Sequence, residues 1–294
     1  MSALRPLLSG IVDYAGLFPP AGLDMATAVR NYADYRRDDA SWMLGRFVVP
    51  VAKLDELSRE VRALDGAPSD EWRIAALLSD DVERDLAVVD AFNEELISVA
   101  HVDTLEGKLA TVEAIARAAS LVGERLALFV EVPIDRDPRE LVAAIAAAGI
   151  NAKMRTGGLT PEAFPPAKDI VRFMRACADA RVPFKATAGL HHPIRAEHRL
   201  TYASDAPSGA MYGYLNVFLA AALLPELSDA EAVALLDERD SHALVVSRDS
   251  IRWRDHELRA DQINAARERV ASSFGSCSFR EPVDDLRALC FPDT

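Results

Sequence analysis

The sequence predicts an α/β protein built as a (βα)8 TIM barrel with a C-terminal α+β appendage. Two observations indicate this fold. Short apolar or β-branched runs alternate with longer segments whose apolar residues recur every three to four positions, which is typical of βα units on a parallel sheet. The chain has 294 residues, half of them hydrophobic, and this is enough to build and fill one such barrel.

The predicted strands follow one another at the spacing of βα units. An eighth strand is expected near residues 213–217, although the apolar run 214–224 fits a helix equally well. The other seven strands are predicted at residues 10–14, 45–50, 73–78, 97–102, 126–132, 152–155 and 184–188. Helical periodicity predicts the intervening helices at residues 24–36, 53–64, 80–94, 105–121, 138–148 and 166–180.

The pattern changes after about residue 225, which predicts two parts. Residues 1–225 are expected to form the barrel, and residues 226–294 an appendage that packs on the barrel or at a subunit interface. Within the appendage we expect a helix at 229–238, a hairpin through 243–253 and a helix at 261–271.

Composition narrows the classes of partner. The formal net charge of −13 argues against nucleic-acid binding, which usually requires a basic surface. The N-terminus lacks the apolar core of a signal peptide, and no apolar run is long enough to span a bilayer, so a cytoplasmic protein without a membrane partner is expected. Three scattered cysteines predict neither a disulfide framework nor a structural zinc site. The composition leaves open whether the protein forms a homo-oligomer.

Two lysines stand out against an arginine-rich background. Only five of the 33 basic residues are lysines, yet Lys153 and Lys185 lie at the ends of two successive predicted strands, each shortly before a glycine. A lysine, unlike an arginine, can lose its proton when it is desolvated or placed beside another cation. The pattern therefore suggests a reactive amine, although ion-paired or partly exposed structural lysines would also fit it.

Active sites of (βα)8 barrels lie at the carboxyl ends of the strands, so polar residues there are candidates. If the two ammonium groups lie close together, one pKa falls and a free amine can attack a carbonyl carbon to form a Schiff base. Arg155 offers a bidentate site for a carboxylate or phosphate. The candidate catalytic residues are Lys153, Lys185, Glu131, Asp103 and His101, and the candidate substrate-binding residues are Asp13, Arg155, Thr156, Gly157, Thr187, Gly189, His191, His192 and Asn216.

Two segments resemble a known family. Residues 146–158, with the order Lys-Met-Arg-Thr-Gly from Lys153, and residues 184–189, with the order Lys-Ala-Thr-Ala-Gly from Lys185, are similar to the sixth and seventh strands of the deoxyribose-phosphate aldolases. The likeness extends faintly over residues 10–195. It implies a class I aldolase in which Lys153 forms the Schiff base, Lys185 lowers its pKa and Glu131 supports the pair.

The chain also departs from this family. The family has an aspartate in strand four, but residues 97–100 contain no acid, so His101 or Asp103 is expected to take its place. The family's phosphate-binding loop of strand eight is absent, and Arg155 stands where small residues are usual. The expected substrate is therefore a small, unphosphorylated carbonyl compound that carries a carboxylate.

Two alternatives remain on the same barrel. His191 and His192 also suit a metal-assisted lyase or isomerase, in which a divalent ion is the cofactor; the Schiff-base hypothesis needs none. The missing strand-four aspartate also fits a barrel that binds a ligand without catalysis. Cys277 is interpreted as a packing residue rather than a nucleophile.

Overall fold

Eight parallel strands close into a barrel in the computed structural model, which describes residues 2–64 and 71–291. This confirms the predicted fold class. The strands, in chain order, are β1 (Val12–Tyr14), β2 (Leu44–Pro50), β3 (Trp72–Leu77), β4 (Ala100–Gly107), β5 (Ala127–Glu131), β6 (Asn151–Arg155), β7 (Phe184–Thr187), β8 (Ala196–Arg199), β9 (Ser208–Met211), β10 (Leu244–Val246), β11 (Ser250–Trp253), β12 (His256–Arg259) and β13 (Ala271–Ser276).

The barrel strands lie in the order β1-β13-β7-β6-β5-β4-β3-β2, and β2 pairs with β1 to close the ring. The α-helices of the described residues are α1 (Leu4–Leu8), α2 (Met25–Tyr35), α3 (Leu54–Arg62), α4 (Val82–Glu95), α5 (Val112–Val122), α6 (Arg139–Ala147), α7 (Ala167–Ala180), α8 (Tyr214–Leu223), α9 (Asp229–Leu236), α10 (Ala260–Arg269) and α11 (Arg280–Ala288). None of the helices in this described part is long and apolar enough to cross a membrane.

Side-chain caps fix where several of these helices begin. Asp24, Asp81 and Thr111 each accept a hydrogen bond from a backbone N–H in the first turn of α2, α4 and α5. Such caps satisfy backbone donors that have no partner within the helix, and each typically stabilises it by about 1 kcal/mol. The starts of these βα units are therefore encoded locally.

The eighth barrel strand is not where the sequence indicated. The segment expected near 213–217 belongs to α8, a helix that is apolar on nearly all sides and almost wholly buried. A helix without a polar face carries no amphipathic periodicity to distinguish it from a buried strand. The strand that closes the barrel is β13, which pairs with β1 on one side and β7 on the other. It comes from the segment 226–294 that was predicted as an appendage.

Strand four is also displaced from its predicted position. It was expected at 97–102, but residues 97–99 form a turn in which Ile97 is 75% exposed, and β4 runs from Ala100 to Gly107. Accordingly, α5 begins at Val112 rather than at 105. The shift brings Glu106, which the sequence analysis had assigned to a helix, to the carboxyl end of a barrel strand.

The remaining strands form two small sheets outside the barrel. A hairpin of β8 and β9 follows β7 on the side of the carboxyl ends. The predicted helix and hairpin after residue 225 are present as α9 and as the antiparallel sheet β10-β11-β12. They lead through α10 into β13, so these elements connect two parts of the barrel.

Candidate active site at the carboxyl ends of the strands

A cavity of about 470 Å³ opens at the carboxyl ends of the barrel strands. We call it the main lobe. Lys153, Glu106 and Glu131 lie on its inner side, and its walls are largely apolar, with contributions from the loop after β1 and from the β8–β9 hairpin. These apolar walls comprise Phe18, Pro19, Pro20, Val48, Leu77, Leu78, Leu159, Leu200 and Met211.

The two lysines share one carboxylate at the inner end of this cavity. Lys153 and Lys185 are register partners on β6 and β7, so their side chains emerge from the same face of the sheet. Lys153 Nζ lies 2.7 Å from Glu106 Oε2, and Lys185 Nζ donates to Glu106 Oε1. Lys153 lines the cavity and is 6% exposed, whereas Lys185 lies behind it at 1%.

Asp13 holds Lys185 from the opposite side. Its Oδ2 accepts hydrogen bonds from Lys185 Nζ at 2.6 Å and from the Ser273 hydroxyl at 2.7 Å. Its Oδ1 accepts from the backbone N–H of Arg46 at 2.7 Å. Gly45 makes this arrangement possible, because a Cβ there would lie 2.4 Å from Oδ1. The carboxylate is fully buried and has partners on both oxygens.

Glu131 completes the charge cluster. Its Oε2 lies 3.3 Å from Lys153 Nζ, and its Oε1 lies 3.9 Å from the exposed Lys108. We define the charge cluster as Asp13, Glu106, Glu131, Lys153 and Lys185. With both lysines protonated it carries three negative and two positive charges, so it favours positive charge at the cavity floor.

The cluster sets two pKa values in opposite directions. Burial alone would raise the pKa of Glu106, but Lys153 and then Lys185 outweigh it and lower the pKa to about 2. Burial alone would lower the pKa of Lys185, but Asp13 and Glu106 raise it above its ordinary value. Lys185 is therefore a permanent cation at neutral pH. Of the two amines, only Lys153 reaches the cavity.

The lowered pKa of Glu106 predicts a specific loss of stability in acid. Its folded pKa of about 2 lies below its ordinary value of 4.5, so its contribution is present above pH 4.5 and is lost as the pH falls towards 2. We expect Glu106→Gln to be less stable at pH 7 and to show a flatter pH dependence of the unfolding free energy over this range. Urea unfolding of the wild type and the variant at a series of pH values measures this free energy.

The matched control for this experiment is Glu113→Gln, which changes an exposed glutamate on α5. Its curve should run parallel to that of the wild type. Parallel curves for wild type and Glu106→Gln would contradict the assigned charge state of Glu106.

Several predicted site residues lie around the cavity. Arg155, Thr187, Gly189 and His191 line the main lobe. Gly189 has a φ of +73°, and a Cβ there would lie 2.8 Å from the Cα of Gly157, so the two strand-end loops touch at glycine.

Other predicted residues have structural contacts. The Thr156 hydroxyl donates to the carbonyl of Ala188 at 2.6 Å and ties β6 to β7. Asn216 lies in α8, where its side chain bonds the backbone of Arg195, Leu235 and Glu238. It is thus a buried link between α8 and its surroundings, not a strand-end residue.

The structure does not bring His101 and Asp103 to the site. Both lie near the start of β4, and Asp103 forms ion pairs with Arg46 at 2.5 Å and Arg73 at 2.7 Å at the amino end of the barrel. Three residues of extended strand separate Asp103 from Glu106, which is roughly 10 Å. The acid on strand four that faces the lysines is Glu106.

The adjacent histidines have separate partners. His191 Nδ1 lies 3.0 Å from Glu281 Oε2 and 3.3 Å from the Ser276 hydroxyl, whereas His192 Nδ1 contacts Asp285 and its ring stacks on His198. Within residues 2–64 and 71–291, no group of three histidine, cysteine or acidic side chains is arranged to hold a metal ion.

Sequence reasoning missed four polar residues around the charge cluster and His191. Glu106 was missed because the end of strand four was predicted too early in the chain. The order Glu-Gly at the end of a strand was a signal that could have identified it. Ser273 and Ser276 lie on β13, which was not expected to be a barrel strand, and Glu281 follows it.

Comparison with known proteins adds no family. No protein-family model matches the chain, and a search of curated proteins finds no similar sequence. The fold is shown by the structure.

Proposed function

We propose that the protein is a class I aldolase-like lyase that forms a Schiff base between Lys153 and a small, unphosphorylated carbonyl compound bearing a carboxylate. The observation that carries the proposal is the position of Lys153. Its Nζ lies at the floor of a largely apolar cavity and is held by a carboxylate that also binds a second, buried lysine.

The charge cluster favours the cationic stages of this reaction. Formation of the carbinolamine needs the neutral amine of Lys153, whereas its dehydration gives an iminium cation at the same nitrogen. Three carboxylates face two ammonium groups, so a positive charge at this nitrogen is stabilised by fixed groups in a buried site. The resemblance to the deoxyribose-phosphate aldolases supports the same assignment of the two lysines.

Glu106 is the group placed to move the Lys153 proton. Starting from the ammonium form of Lys153, Glu106 accepts one proton and frees the amine, which attacks the carbonyl carbon. The attacking nitrogen then loses a second proton to the former carbonyl oxygen, which gives the carbinolamine. Glu106 returns the first proton to the carbinolamine hydroxyl, which leaves as water, and the iminium cation remains. Lys185 remains bound to Glu106 and Asp13 throughout, because its pKa is raised. Glu106 therefore keeps Lys185 as a cationic partner even while Lys153 is neutral.

Carbon–carbon bond cleavage follows from the iminium. The electron pair of the breaking bond moves towards the iminium nitrogen and gives an enamine, while a hydroxyl on the leaving fragment loses its proton and becomes a carbonyl. His191 lines the same cavity and is oriented by Glu281, so it is the candidate for that proton transfer. Protonation and hydrolysis of the enamine release the second product.

Trapping with borohydride tests the proposal. The purified protein is incubated with a panel of small aldehydes and 2-oxo acids, reduced, and analysed by intact mass and peptide mapping. We expect one adduct per chain, on Lys153, whose mass identifies the carbon skeleton of the substrate. The absence of a specific adduct with every carbonyl compound would overturn the Schiff-base assignment.

Arg155 supplies the expected carboxylate preference. It lies two residues after Lys153 on β6, about 6.6 Å further along the strand and on the same face. We expect Arg155→Gln to raise KM for a carboxylate-bearing substrate roughly tenfold or more, with a smaller change in kcat, because it removes a charged hydrogen-bond partner. Steady-state kinetics, with an uncharged aldehyde as the control substrate, measures the difference. An equal effect on both substrates would refute the role.

A further inference from the structure

A second cavity adjoins the main lobe and has no role in the proposed reaction. We call it the annex. It is a half-open cavity with a volume of about 570 Å³, lined by the loops after β4, β5 and β6. Its apolar lining comprises Leu109, Ala110, Val132, Pro133, Ile134, Ala163, Phe164, Pro165 and Pro166.

The two cavities share three charged residues, which define the junction between them. Lys108, Glu131 and Arg155 line both the main lobe and the annex. Lys108 is 77% exposed, and Arg155 is exposed and makes no side-chain ion pair or hydrogen bond to any other described residue. Two cations therefore lie at the junction, while Glu131 contacts Lys153.

Acidic residues also line the annex, and their positions matter. Asp169 is tied to Arg172 at 2.9 Å, and Asp135 and Glu162 are exposed. None of these three carboxylates lies at the junction. The acidic member of the junction, Glu131, is offset by Lys153 at 3.3 Å and by Lys108 at 3.9 Å, so Arg155 keeps its charge for a ligand. An anionic group is thus favoured at the junction, and an uncharged apolar group in the annex.

We propose that the annex is a substrate subsite for a hydrocarbon substituent of about the size of a phenyl ring. The carbonyl carbon lies at Lys153, the carboxylate lies at the junction against Arg155 and Lys108, and the substituent extends into the annex. This narrows the substrate class to carboxylates with an apolar side chain. It rests on the proposed function for the position of the carbonyl group, but not for the binding of carboxylate and substituent.

Probes without a carbonyl group test the subsite independently of Schiff-base chemistry. Propanoate, 3-phenylpropanoate and 6-aminohexanoate are titrated into the full-length protein, and binding is measured by calorimetry or by NMR. Because burial of apolar surface adds affinity, we expect 3-phenylpropanoate to bind roughly tenfold or more tightly than propanoate. Equal binding of these two acids, or tighter binding of 6-aminohexanoate, would overturn the proposal.

Substitutions locate the binding. Ala163 and Ala110 are exposed residues that line the annex but not the main lobe, so Ala163→Trp and Ala110→Trp fill it with little risk to folding. We expect either to reduce the advantage of the phenyl group to about twofold or less. The control is Val245→Trp, at an exposed position that lines neither cavity, which should retain it. An advantage that survives both annex substitutions in folded protein would contradict the subsite.

The subsite and the proposed function can fail separately. Lys153→Met is expected to keep the preference for 3-phenylpropanoate, because that probe forms no covalent bond. A borohydride adduct on Lys153 together with equal binding of propanoate and 3-phenylpropanoate would refute the annex subsite alone. A phenyl preference without trapping would refute the Schiff base alone.

Discussion

Replacement of Lys153 by Met is expected to abolish borohydride trapping and to lower kcat/KM by roughly four orders of magnitude or more, as is typical when a covalent nucleophile is removed. The thioether cannot form the carbinolamine, and no other lysine reaches the floor of the main lobe among the described residues. Intact mass after reduction and steady-state kinetics measure the two effects.

The fold should survive this change. Without Lys153, Glu106 keeps its contact with Lys185, and Glu131 keeps its longer contact with Lys108. No carboxylate is left wholly unpaired, so we expect a cost of about 1–3 kcal/mol in unfolding free energy rather than collapse. Loss of the cooperative unfolding transition would indicate that Lys153 is structural.

Lys108→Met is the matched control for the trapping experiment. Lys108 is an exposed amine at the mouth of the same cavity, 3.9 Å from Glu131. Its removal is expected to weaken the binding of the substrate carboxylate, but at a saturating concentration of the carbonyl compound it should leave the adduct on Lys153 intact. An adduct that is lost in Lys108→Met but retained in Lys153→Met would show that the reactive amine is Lys108 and not Lys153.

Truncation after residue 225 is expected to prevent formation of the native barrel. The shortened chain lacks β13, so β1 and β7 lose their common neighbour and expose unpaired edges. It also lacks Phe274, which is fully buried and stacks on Tyr214 of α8 at 5.2 Å between ring centroids. We expect neither the near-UV circular dichroism of the full chain nor a cooperative thermal transition.

Complementation provides the control for this truncation. Coexpression of residues 1–225 with residues 226–294 supplies β13 in trans and should restore part of the native signal. A cooperative, native-like fold of residues 1–225 alone would contradict the assignment of β13 as a required barrel strand. It would favour the division into a barrel and an appendage that the sequence pattern suggested.

The two corrections to the predicted fold have one physical cause. In α8 and around β4, buried apolar residues do not alternate with polar ones in a way that reports the secondary structure. Residues 97–99 look like the start of a strand but form a turn, and the true strand includes polar residues whose partners lie on other strands. Boundaries of this kind depend on pairing with β3 and β5, which a single segment does not reveal.

The sequence by itself determined the alternation of strands and helices and the placement of Lys153 and Lys185 at matching positions of successive strands. These features depend on local periodicity and on register between neighbouring segments. Only the tertiary structure decided that Glu106 faces both lysines, that β13 closes the ring, and that Asp13 and Ser273, 260 residues apart, share a hydrogen bond. A carboxylate binds whichever cations the closed barrel brings near it, and closure depends on contacts between the two ends of the chain.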